Sequence, residues 1–121
     1  MTRERLPEIR ESIVHTAKIH TPEGVIKFFL IAGLYPDGTP GELFISLDRS
    51  GSTIDGFADA WATAVSICLQ HKEPLENLFS KFAFQEFEPK GRTENPEISY
   101  ARSVVDYAAR WMLHTFGKKV E

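Results

Sequence analysis

Val25-Ile-Lys-Phe-Phe-Leu-Ile-Ala-Gly33 is the stretch on which the fold turns. β-Branched and aromatic residues dominate it, so it reads as a strand. Its near-continuous apolarity predicts that both faces are covered and that it lies centrally in a sheet. Working upstream, Thr21-Pro-Glu-Gly24 reads as a turn, and Ser12–His20, rich in β-branched residues, as a preceding strand. Downstream, Tyr35-Pro-Asp-Gly-Thr-Pro-Gly41 places Gly38 where a tight turn needs positive φ, with Pro36 fixing the residue before it. Glu42–Leu47 is then a third strand. Connections this short make an antiparallel meander the economical topology.

At Gly51 the period changes from two to 3.6. Ile54, Phe57, Trp61, Ala64, Val65 and Cys68 fall on one helical stripe, with Ser52 as N-cap and Asp55 three residues on, a short form of the capping box. A short helix follows Pro74, its expected buried face made by Leu75, Leu78, Phe79 and Phe82. Phe87–Asn95 reads as a polar loop. Asn95-Pro96-Glu97 then offers an N-cap, a proline at the first helical position and an acid in the first turn, so a third helix is expected over Pro96–Phe116, closed by Gly117. The fold class is α+β: a meander of about three strands packed by two major helices and one short helix. The expected organisation is a surface segment over 1–11, a single domain over 12–117 and a tail over 118–121.

The composition is that of a globular chain: 121 residues, 42% hydrophobic and 26% charged. Nine Phe and two Trp imply a dense core, or an aromatic surface kept for a ligand or a second subunit. A net charge of -3 argues against generic nucleic-acid binding, although one or two placed arginines suffice for a small nucleotide. The single cysteine, Cys68, forms no internal disulfide, and the four scattered histidines have no zinc spacing, so neither a metal nor a cofactor is expected. No secretory leader and no membrane-spanning run is apparent, so the expectation is a cytoplasmic chain without a membrane partner.

Five groups of residues invite a chemical reading. Gly51, Ser52 and Thr53 open a helix and offer an anion site. The segment lacks a Walker lysine and GxGxxG spacing, and Asp55 would repel an anion, so helix capping is favoured. Asp55 and Asp59, four apart, have the spacing of an acid/base pair but more commonly form a solvated face. Cys68 lies on the apolar stripe with His71 nearby, which suits core packing better than nucleophilic chemistry. Phe82, Phe84 and Phe87 precede Lys90 and Arg92, a combination that fits a base and its phosphate or, alternatively, core aromatics beside a solvated loop. Arg102, Asp106 and Arg110 repeat at i, i+4, i+8. They form a self-neutralising ladder, or, where the face meets a ligand or a subunit, a pair of anion contacts.

Several segments in order carry a resemblance: Leu6-Pro-Glu-Ile-Arg-Glu-Ser-Ile13, Gly33–Ile45, Gly51–Gln70, Pro74–Phe82, Phe87–Ile98 and Ser103–Trp111. Together they resemble the C-terminal accessory, or TSCPD, domain of adenosylcobalamin-dependent class II ribonucleotide reductases, over about residues 5–116. The Thr-Ser-Cys-Pro-Asp string, the paired cysteines of the redox tail and the reductase barrel have no counterpart here. The resemblance therefore implies a fold and a link to nucleotide metabolism, without reductase activity from this chain. It implies a stand-alone accessory or regulatory module that binds a nucleotide or docks onto a reductase-like partner. The alternatives are a homo-oligomer that sequesters a small nucleotide, and a small enzyme using Asp55 and Asp59.

Overall fold

Alternate residues of the Val25–Gly33 run are enclosed: Phe28, Leu30 and Ala32 are fully buried, while Lys27, Phe29 and Ile31 on the other face are half-covered. A computed structural model describes residues 2–48 and 52–117. The elements are β1 (Ser12–Thr21), β2 (Gly24–Leu34), β3 (Pro40–Leu47), α1 (Thr53–Gln70), α2 (Leu75–Phe79), β4 (Gly91–Thr93), β5 (Tyr100–Ala101) and α3 (Val104–Phe116). A 3₁₀ turn occupies Pro96–Ile98. The strands form one antiparallel sheet in the order β3-β2-β1-β4-β5.

The fold is thus α+β, with five strands where about three were expected. β2 is internal, but the middle strand is β1. The outer face of β2 is less covered than its apolarity predicts, and Phe44, directly opposite Ile31 on β3, is 46% exposed.

Two compact units make up the chain. The first comprises the chain up to Thr16 and Phe28–Pro74. In it the β2–β3 turn is closed by Tyr35 N to Thr39 O and by Gly38 at φ 88°, with Asp37 Oδ1 accepting from Thr39 N and Oγ1. α1 packs on β3, but the buried stripe shares only Val65 with the predicted one, Trp61 and Cys68 being half-buried. Ala58, Ala62, Val65 and Leu69 are buried, while Ile54 is 40% and Phe57 73% exposed.

The reason is the sheet edge. β3 is terminal, and a bare strand edge leaves backbone groups unpaired. Ser66 Oγ accepts from Leu43 N at 2.8 Å and lies 3.1 Å from Leu43 O; Gln70 Nε2 donates to Gly41 O at 3.0 Å. Turning these polar residues inward rotates the helix so that Ala58 and Ala62 allow close approach while Ile54, Phe57 and Ile67 face out. The N-terminal segment is fastened to this unit by Glu4 N to Gln70 O, Arg3 to Gln70 Oε1 and Arg10 to the buried Glu42. That ion pair raises the Arg10 pKa, the hydrogen bond donated to Glu42 being the main cause.

The second unit comprises Ala17–Lys27 and the chain from Leu75 on. As predicted, Leu78 and Phe79 of α2 are buried. The polar loop instead contains β4. Gly91 sits against β1 so closely that a Cβ would overlap the His20 carbonyl. The third helix starts eight residues later than expected. Asn95 Oδ1 does accept from Glu97 N, but it caps only the 3₁₀ turn. Thr93 N bonds Ser99 O and draws the chain back, so that Tyr100 and Ala101 pair with Arg92 and Gly91. Ser103, extended at φ -174°, is the true N-cap of α3, accepting from Asp106 N at 2.9 Å. Gly117 closes α3 through Leu113 O, as anticipated.

A candidate functional cluster built around Asp106

The centre of the second unit's polar architecture is Asp106, in the first turn of α3 and fully buried. One oxygen accepts from Phe84 N at 2.5 Å and Arg110 Nε at 2.9 Å. The other accepts from Arg102 N at 2.8 Å and Arg110 Nη2 at 2.7 Å. Arg102 precedes the helix, so the expected exposed ladder is replaced by a buried hub. A carboxylate removed from water needs such a set of donors to offset its lost hydration. The Arg110 side chain, 14% exposed, also donates to Tyr100 O.

What the hub holds in place is Phe84. Its φ is 67°, a conformation bulky residues rarely adopt, and the residue is 58% exposed. The Arg110 guanidinium lies 4.6 Å and that of Arg102 6.0 Å from the ring centroid. Phe87, 43% exposed, is anchored by its N–H to Arg102 O. Ser103 Oγ donates to Gln85 O at 2.6 Å. The loop 84–87 is therefore fixed by α3 and the two residues before it.

Charges around the loop are partly answered. Glu86 bonds Lys90 at 2.7 Å and meets Arg102 at 3.5 Å. The hydrogen bond from Lys90 is the main reason that the Glu86 carboxyl titrates below its ordinary range, and the same bond raises Lys90. Phe82 is half-buried. Arg92 is exposed and, among the described residues, has no carboxylate partner. On β4 it lies between His20 of β1 and Tyr100 of β5, directly opposite both, so the three side chains share one sheet face. His20 meets Glu94 at 3.1 Å.

The structure thus gathers Phe84, Phe87, Arg102, Asp106 and Arg110, and adds Glu86, Ser103 and Tyr100. The last was hidden because the predicted helix began at Pro96. A short β4–β5 ribbon leaves almost no periodicity to detect.

The other candidates lie elsewhere. Ser52 Oγ accepts from Asp55 N at 3.1 Å, which is capping; Thr53 is exposed, and Gly51 lies outside the described residues. Asp59 is exposed and Asp55 half-buried on α1. Cys68 is half-buried rather than enclosed, and His71 forms the C-cap of α1. Among the described residues no group of three or more His, Cys, Asp or Glu could hold a metal, and no helix is long and apolar enough to cross a membrane.

Residues 3–116 match the TSCPD domain. The chain belongs to the TSCPD domain family. It is 50% identical over 114 residues to a vitamin B12-dependent ribonucleotide reductase of Rhodopirellula baltica, covering 94% of this chain and 11% of that protein. Proteins of the same name from Streptomyces coelicolor and Bradyrhizobium diazoefficiens are 41% and 37% identical; each match covers 89% of this chain, and 11% and 8% of those proteins. The TSCPD domain therefore spans about a tenth of the length of these relatives. No solved structure matches the chain.

Proposed function

We propose that this TSCPD domain is an accessory module that docks onto a ribonucleotide reductase-like protein through the Phe84 cluster. One observation carries the reading: an aromatic residue left 58% exposed is held at φ 67° by the buried carboxylate of Asp106. Hot spots at protein interfaces are typically aromatic and arginine side chains, and fixing them beforehand lowers the entropy lost on binding. Phe84, Phe87 and Tyr100, flanked by Arg92 and Arg102, have that composition. The relatives supply the partner class, since in each the matching region is a small part of a reductase chain.

The test is copurification with a vitamin B12-dependent reductase from which its own TSCPD region has been deleted. Phe84→Ala together with Arg102→Glu should abolish capture while the melting temperature stays close to the parent's. Undiminished capture by the folded variant would refute the assignment.

A second reading, nucleotide binding, is favoured by the His20–Arg92–Tyr100 row, which sets an aromatic face beside an unpaired guanidinium. Thermal-shift titration with nucleoside triphosphates tests it. Arg92→Ala should weaken any phosphate contact there by about 1–3 kcal/mol, and an unchanged shift would remove Arg92 from the site.

A further inference from the structure

α1 turns an unusual face to water. Thr53, Phe57, Ala60, Thr63, Ala64 and Ile67 are all exposed and follow one another at intervals of three and four, so they form a single seam opposite the buried stripe. Phe57 is 73% and Ile67 37% exposed. None of these residues carries a charge, and Asp59, the exposed acid of the helix, lies to one side. Solvated helix faces are ordinarily polar and charged; an apolar face rimmed by polar residues marks a contact.

We infer that this seam is the contact for a second copy of the chain, two α1 helices packing antiparallel across a two-fold axis at Ala60. The arrangement is self-complementary. With Ala60 facing its own symmetry mate, Phe57 of each copy meets Thr63 of the other, Ile67 meets Thr53, and Gly56 meets Ala64. Every large side chain is set against a smaller one, as close packing requires. Gly56 is open, with nothing within 4 Å of where its Cβ would stand, and the small side chains permit an interaxial distance near the short end of the usual range, about 8 Å.

Two further observations select a helix of the same chain over other occupants. An uncharged seam meets its own copy without like-charge repulsion, even though the chain has a net charge of -3. Pairing through the neighbouring β3 edge is blocked instead, because Ser66 and Gln70 occupy the Leu43 and Gly41 backbone groups. The contact is modest. Phe57 contributes about 150 Å², and the helix pair stays below the ~1,200 Å² total of a standard interface. The dimer is therefore weak and concentration-dependent, and it uses none of the residues of the Phe84 cluster.

Sedimentation velocity of the full chain over ~5 to ~500 μM tests this. The mass should rise from 13.7 kDa toward twice that value. Ala60→Glu, an exposed helical position, should leave the circular dichroism and melting temperature unchanged and abolish the rise, weakening association at least about tenfold. Ala60→Lys should do the same. Because residue 60 faces itself, mixing the Glu and Lys variants should restore a 1:1 heterodimer. A chain that stays monomeric throughout, a dimer indifferent to Ala60→Glu, or two variants that fail to recombine while folded would each overturn the inference. Should either variant lose its fold, Ala64→Glu against Gly56→Lys supplies the same crossed pairing.

Discussion

Asp106→Asn isolates the reasoning about the hub. The substitution keeps the shape and one acceptor oxygen but replaces the other with an NH₂ group. Four N–H groups converge on this carboxylate, from Phe84, Arg102 and twice from Arg110. Whichever way the amide is oriented, a donor is pushed against two donors in a site with no solvent access. Arg110, 14% exposed, also loses its counter-charge. Removing one partner of a buried ion pair costs about 3–5 kcal/mol, since the remaining charge is left uncompensated. For a chain of this size that is a fall of roughly 10–20 °C in melting temperature. Urea unfolding at 25 °C, read by the far-ultraviolet signal, gives the free energy directly. Adding Arg110→Met to the Asn variant should cost less than Arg110→Met alone, a coupling of about 1–3 kcal/mol. A loss under ~1 kcal/mol, or strict additivity, would show that the hub is not what fixes the Phe84 loop.

Three further outcomes are expected. Ser66→Ala leaves Leu43 N–H without its acceptor at the β3 edge and should cost about 1–3 kcal/mol, with light scattering on heating as the sign of an opened edge; unchanged stability would mean that water substitutes freely. Gly91→Ala drives a Cβ into the His20 carbonyl, so the β1–β4 ladder must shift, with a loss of at least about 2 kcal/mol in denaturant unfolding. Burial lowers the His15 pKa below its ordinary 6.5. The folded state thus disfavours the cation, the unfolded state binds the extra proton, and stability should fall as pH drops below about 6.5 toward the depressed value. Unfolding midpoints at pH 8 and 5.5 should differ less in His15→Gln than in the parent, and equal differences would exclude His15 as the cause.

The first three strands, the Ser52 cap, the short helix after Pro74 and the Gly117 stop were legible because each rests on local chemistry: alternation, a turn glycine, a hydroxyl at a helix start. What escaped was decided by distant groups. Nothing in Thr53–Gln70 alone shows that Ser66 and Gln70 must face a strand edge 23 to 29 residues earlier, so the large apolar residues were assigned inward. Nothing in Asn95-Pro96-Glu97 shows that Thr93 will bond Ser99 and turn the chain into β5 before α3 begins. Asp106 was correctly noticed between two arginines. Its role depends on Phe84, 22 residues away, and the spacing alone suggested a surface ladder.

The same misreadings fall on the two proposed surfaces. Polar side chains drawn inward by Leu43 and Gly41 force Phe57 and Ile67 outward, and a carboxylate drawn inward by Arg110 presents Phe84. In each case burying a polar group satisfies backbone or charge, and the displaced apolar residue is what meets water. Glu42, Ser66, Gln70, Ser103 and Asp106 are the buried polar residues of the described chain, and each is engaged by backbone or by an arginine. Their chemistry is directed at holding surface elements still. A domain organised this way gains most from rigid recognition, because an aromatic side chain ordered before binding loses little entropy on contact. This favours the docking reading over one that relies on the solvated Asp59, which α1 leaves outside both clusters.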